Sequence, residues 1–219
     1  MEEDSVFNRR DFSGQQISPG IYNFVIGLCL TWGFALNWLM VEMIPRESLI
    51  SINPWLFYGG YIASCFIGIY LSRSSDNPVV SFIGYNFIVV PLGLIINIAV
   101  GGVSPEVVSQ AVQTTGAVTF LMMVLGTLFP AFFSRIQGAL FIALIVTIIV
   151  EMIQVFVFHM HSGIIDWIVA AIFCGYIGLD WGRANQIPKT IDNAVDSSVA
   201  LYVDIVNLFL RILRILNRD

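Results

Sequence analysis

Long apolar runs, repeated along the chain and separated only by short polar breaks, leave this protein few ways to fold. A helix needs about 20 apolar residues to cross a hydrocarbon layer about 30 Å thick. Seven candidate spans lie at approximately 21–43, 54–72, 79–100, 111–133, 138–158, 163–181 and 195–216. Residues 1–20 form a polar N-terminal segment, and 21–216 read as one membrane domain. Composition agrees. Of 219 residues, 57% are hydrophobic and 11% charged, whereas soluble domains carry about 25% charged residues. Too few charges remain to cover a water-facing surface. A net charge of -5 also lacks the basic surplus that nucleic-acid binding needs, so no nucleic-acid partner is expected. The expected fold class is an all-α membrane protein in contact with the lipid bilayer.

The breaks have chemical reasons. Ile44-Pro45-Arg46-Glu47 ends the first run, Ser72 to Pro78 the second, and Gly101 to Glu106 the third. Phe133-Ser134-Arg135-Ile136-Gln137-Gly138 reads as a tight turn between the fourth and fifth spans. His159 to Gly163 follows the fifth span, and Gly182 to Asp196 is the longest polar stretch. Such short loops make neighbouring helices antiparallel. There is no internal repeat of the kind that inverted-repeat transporters show. Cys29, Cys65 and Cys174 lie inside apolar runs and read as small buried hydrophobes. Pro91, in mid-span, reads as a packing kink or a hinge. The first apolar run is too long for the core of a cleavable signal peptide. Loop Lys and Arg favour the cytoplasmic side. An N-terminus inside places Arg9, Arg10, Arg73, Arg135, Arg183 and Lys189 there, with Arg46 and the tail arginines outside. A multi-pass protein of the cell membrane, cytoplasmic at its N-terminus, is the expectation.

Ionisable groups at membrane depth are costly and mark function by default. The chain offers Glu151 in the fifth span, Asp180 at the end of the sixth, and Asp196, Asp204, Arg211 and Arg214 in the last. Glu42 and Asp166 lie near span ends and read as solvated at the interface. At about 100° per residue, Asp196, Ala200, Asp204, Asn207, Arg211 and Arg214 share one narrow stripe of the last helix. That stripe should face other helices or water rather than lipid, which suits a central helix. A surface-lying amphipathic helix is the alternative. Around a turn at Pro188 to Asp192, Asp180 and Asp204 would lie about 18 Å from the apex along each helix, at nearly equal depth. Spacing alone does not turn them toward each other, and each could instead cap a helix or bond a Tyr or Ser. If they meet, both cannot ionise cheaply, and the pair shares a proton. Losing that proton adds repulsion and attracts a cation such as calcium, which prefers oxygen ligands.

The run Ala200-Leu201-Tyr202-Val203-Asp204-Ile205-Val206-Asn207-Leu208-Phe209 resembles the last helix of the transmembrane Bax inhibitor motif family. Gly175-Tyr176-Ile177-Gly178-Leu179-Asp180 resembles the end of that family's sixth helix, and the spacing of Asp180 and Asp204 matches its aspartate pair. Leu125-Gly126-Thr127 is a weaker likeness. Over residues 1–110 the likeness is one of hydropathy and span count. The resemblance, to a bacterial member, implies a seven-transmembrane-helix bundle with the last helix central. It implies a pH-sensitive calcium (cation) leak channel or transporter, with Asp180 and Asp204 as sensor and gate and as transient calcium ligands. It implies a basic latch at the end of the second helix, for which Arg73 is the candidate. Asp196, Asn207, Arg211 and Glu151 would line the pore as a polar stripe. No cofactor is implied; calcium and protons are the permeant and sensed ions. The chain departs from the family in having Gly178 where an aromatic is usual and in lacking an acidic residue in the second span.

Two other classes compete. A diaspartyl intramembrane protease would also place two aspartates in the membrane. However, Gly178-Leu179-Asp180 is not Gly-x-Gly-Asp, and no Pro-Ala-Leu motif follows. An enzyme is therefore not expected. A non-transporting regulator that binds another membrane protein stays open. The sequence gives neither the ion selectivity nor the oligomeric state.

Overall fold

A computed structural model describes residues 15–158 and 163–218. The arginines at 9 and 10 in the charge count, and the break at 159–162, lie outside the described residues. Within them the chain is helical throughout: α1 (Pro19–Met43), α2 (Arg46–Ile50), α3 (Pro54–Ser74), α4 (Pro78–Val100), α5 (Pro105–Leu128), α6 (Pro130–Phe156), α7 (Gly163–Ala184) and α8 (Ile191–Leu216). Among the described residues six helices, α1 and α3 to α7, are long and apolar enough to cross a membrane. The eighth is long enough too, but carries Asp192, Asp196, Asp204, Arg211 and Arg214.

Proline sets the helix starts. Pro19, Pro54, Pro78, Pro105 and Pro130 each open a helix, where the missing N–H would have been unpaired anyway. Ser18, Asn53, Asn77 and Ser104 stand just before four of them and accept a backbone N–H with their side chains. One boundary differs from the sequence reading. The break between the fourth and fifth spans falls at Phe129-Pro130, and residues 133–138 are helical inside α6. Proline disfavours a helical residue before it, and Phe129 leaves the helical region with ψ 49°. Arg135 and Gln137 are exposed on α6 and need no loop.

The chain forms two compact units. The first comprises Met1–Gly102 and Gln186–Tyr202, the second Val103–Asn185 and Val203–Asp219. In the first, α4 packs on α1 and α3. Gly68 and Gly84 let α3 and α4 approach until a methyl group on either would lie 2.6–2.7 Å from the other's carbonyl oxygen, the small-residue contact of membrane helices. Asn97 donates to the carbonyls of Met40 and Ile44 (3.0 and 2.9 Å), and Tyr85 donates to that of Cys29 (2.8 Å). The Tyr22 and Ser197 hydroxyls lie 2.9 Å apart, and Ser81 donates to Asp192 at 2.7 Å. Pro91 leaves the Phe87 carbonyl without its helical donor. Ser64 of α3 supplies one at 2.6 Å, so the proline is braced by a neighbouring helix.

In the second unit α7 packs on α5 and α6. Gly126 of α5 meets the backbone of Gly178, and the Phe133 ring fills the space where a side chain at 178 would stand. The glycine that departs from the family pattern is thus a packing requirement. Trp181 donates to Thr127 at 2.8 Å and ties α7 to α5. On α6 only Phe133 and Thr147 are buried, and its exposed residues include Phe141, Ile142, Ile145 and Ile149. That apolar face fits lipid rather than water.

The brace at Pro91 is testable by a double-mutant cycle in detergent. Ser64→Ala should destabilise the protein by about 1 kcal/mol, and Pro91→Ala, which restores the helical donor, should remove most of that cost. An equal cost in both backgrounds would contradict the brace.

Candidate functional site

The second unit holds most of the residues singled out in the sequence. Asp180 lies near the C-terminal end of α7 and Asp204 in the middle of α8. Both are buried, at 9% and 6% exposure, and both line one cleft. Two carboxyls that meet in such a site share a proton. Arg183, one turn on from Asp180, brings its guanidinium to 3.7 Å.

The connection between the two helices is lopsided, unlike the symmetric hairpin expected. The seventh helix ends at Ala184, one turn past Asp180, whereas the eighth starts at Ile191, thirteen residues before Asp204. These distances are about 6 Å and about 20 Å. Residues 185–190 can make up the difference, since an extended chain covers about 3.3 Å per residue.

A cleft of about 380 Å³ runs from this pair. Its polar lining is Glu151, Tyr176, Asp180, Asp204, Asn207 and Arg211, with Thr147; Leu144, Ile148, Val169, Phe173 and Val203 complete it. From Asp204 to Arg211 the lining follows α8 for seven residues, about 10 Å. Asn207, midway, donates its side-chain amide to the Val203 carbonyl at 2.8 Å.

At the far end the charges are tightly paired. Arg211 holds Glu151 of α6 through both terminal guanidinium nitrogens, one of them at 2.8 Å, and reaches Asp166 of α7 at 2.9 Å. Asp166 also takes Arg214 at 3.1 Å and Arg218 at 2.6 Å. Here the sequence reading of Asp166 needs correction. It is not solvated at an interface but only 1% exposed, the anion on which three arginines converge. The register explains this: the antiparallel pairing that sets 180 beside 204 sets 166 beside 218. Glu42 is exposed, as expected.

The cleft thus brings together Asp180, Asp204, Asn207, Arg211 and Glu151. It does not include Asp196 or Arg73, which belong to the first unit. Asp196 is buried there, and Arg73 ends α3 with an exposed side chain. Sequence reasoning missed Arg183 and the pairing of Asp166. The first was available from its position three residues after Asp180, on the same helix face. Among the described residues no three His, Cys, Asp or Glu side chains gather as a metal-ligand set.

Comparison with known proteins follows the same lines. The family described as "Inhibitor of apoptosis-promoting Bax1" matches residues 15–219. An uncharacterized membrane protein of Streptococcus pyogenes serotype M3 is 27% identical over the whole of both chains. A "BI1-like protein" of Arabidopsis thaliana is 40% identical over 39% of this chain and 34% of its own. An uncharacterized protein of Helicobacter pylori is 28% identical over 74% of this chain and 70% of its own.

Removing Asp166 tests the arginine cluster. A buried ion pair that loses one partner costs about 3–5 kcal/mol. Because Arg214 and Arg218 reach water, Asp166→Asn should fall near the lower end, about 3 kcal/mol, in detergent unfolding. Arg218→Gln should cost under about 1 kcal/mol, as partly exposed pairs do. Equal costs would contradict the central place of Asp166.

Proposed function

The chain belongs to the Bax inhibitor family, and from that membership and the buried carboxyl pair we propose that it is a pH-sensitive cation leak, for calcium, across a bacterial cell membrane. That it is a multi-pass membrane protein follows from its six apolar helices and its membrane-protein relatives. In this reading α8 is the seventh span and the central helix, as the burial of Leu201, Tyr202, Val206 and Leu208 supports. The N-terminus is cytoplasmic, which puts the carboxyl pair toward the inner face and the arginine cluster toward the outer.

The observation that carries the reading is the burial of Asp180 and Asp204 in the wall of one polar cleft. While a proton is shared between them, it clamps α7 to α8 and the cleft stays closed. When it leaves, two like charges face each other. At 4 Å and an effective dielectric of 20, such charges interact by about 4 kcal/mol. Reversing a two-state equilibrium from 1:99 to 99:1 takes about 5.5 kcal/mol, so repulsion on this scale is a large share of a gate. The separated carboxylates then attract a cation. They offer fewer oxygens than the 6–8 that calcium takes in a stable site, which favours passage over retention. Arg183 steadies ionised Asp180 and carries in this reading the latch role that resemblance gave to Arg73.

The test is calcium flux into proteoliposomes across a pH series. Flux should rise as pH rises through the range in which the pair loses its proton. Asp204→Asn and Asp180→Asn should flatten that dependence. Folded protein with no flux at any pH would overturn the reading and leave a non-transporting regulator that binds another membrane protein.

A further inference from the structure

We infer that Arg211 stoppers the cleft at the end opposite the carboxyl pair, with Glu151 as its holder, and that the charge of this stopper sets which ions can enter there. The inference rests on the cleft being a conduction route, but it concerns different residues and a different end.

Four observations carry it. Arg211 lines the same cleft as Asp180 and Asp204. Its guanidinium bridges two helices, holding Glu151 of α6 with both terminal nitrogens and Asp166 of α7 with one. A planar fork on a carboxylate fixes orientation as well as charge, so the group is pinned in place. The surrounding charges are unequal: among the described residues three arginines meet two acids, leaving a surplus of one positive charge. Finally, the two acids are not equivalent. Asp166 is enclosed and is satisfied by Arg214 and Arg218 without Arg211. Glu151 is the more accessible, with 26% of its side chain exposed. Glu151 is therefore the carboxylate that an incoming cation can compete for. A cation that takes Glu151 frees Arg211 from α6, and the stopper yields to the ion that replaces it.

The two ends of the cleft thus act by different chemistry. One is closed by a shared proton and the other by an ion pair. A lone Arg211 without Glu151 would still repel cations, whereas Glu151 without Arg211 keeps the longer contact to Arg214 at 3.7 Å and is easier for a cation to reach. This gives the two residues opposite signatures.

Access to Asn207, between the two ends, reads the stopper without requiring conduction. The background carries Cys29→Ala, Cys65→Ala, Cys174→Ala and Asn207→Cys. The thiol at 207 is labelled with a cationic trimethylammonium methanethiosulfonate and with a neutral reagent of similar size. Arg211→Gln should raise the cationic rate by about tenfold or more over the neutral one, the scale on which a lining charge changes local ion concentration. Glu151→Gln, which keeps the side chain's shape and serves if the arginine variant does not fold, should raise the neutral rate more than the cationic one. Unchanged rates in a folded Glu151→Gln protein would overturn the inference. So would an Asp204→Asn variant that matched the Arg211→Gln gain, since entry would then be at the carboxyl end. Loss of pH-dependent flux with these labelling signatures intact would instead overturn the leak reading alone.

Discussion

Two carboxyl groups buried in the wall of one cleft cannot be indifferent to protons. Water would separate and hydrate them, but Asp180 and Asp204 are only 9% and 6% exposed. Val169, Phe173 and Val203 line the same cleft, and both acids are buried. In the proposed reading, the contact between α7 and α8 at this point holds only while a proton is shared there. Much of the second unit can be read as making that contact close. Gly126 and Gly178 bring α5 against α7, Phe133 fills the gap beside them, and Trp181 bonds to Thr127 one residue past Asp180.

The far end of the same helix pair solves the cost of buried charge in another way. An unpaired arginine or aspartate at mid-membrane costs about 2.5–3.5 kcal/mol on insertion scales. Asp166, Glu151 and the three arginines cancel most of that by pairing. Asp166 lies in the first turn of α7 and the arginines in and just beyond the last turns of α8. Both positions suit the helix dipoles, which favour acids at N-termini and bases at C-termini. Asp180 and Asp166 are fourteen residues apart on α7, about 21 Å. The two charged clusters thus lie near opposite ends of a length that could cross most of a bilayer.

Much of this was legible in the sequence. Hydropathy located each long helix, and the serine–proline and asparagine–proline pairs before α1, α3, α4 and α5 mark their starts. The aspartate pair was legible through the run at 200–209 and its spacing. The break before α6 was misread because Pro130 resembles a kink when Arg135 and Gln137 offer a more polar turn nearby. Helix starts follow backbone chemistry, which hydropathy does not see. Asp166 was misread because position near a span end says nothing about partners. Only the α7–α8 register, which the aspartate pair itself defines, places Arg218 beside it. Ser64 and Phe87 show the same limit, since their bond depends on how α3 packs against α4.

The central claim is the shared proton, and infrared spectroscopy of the protein in lipid with isotope-labelled aspartate reads it directly. A protonated carboxylic C=O band shifted by strong hydrogen bonding should appear at mildly acidic pH and disappear as pH is raised. The strongly hydrogen-bonded band should be lost from Asp204→Asn, whose amide removes the paired carboxyl, while a lone Asp180 gives an ordinary carboxylic band at lower pH. A wild-type spectrum in which both carboxyls are ionised throughout, with no band that Asp204→Asn removes, would contradict the account.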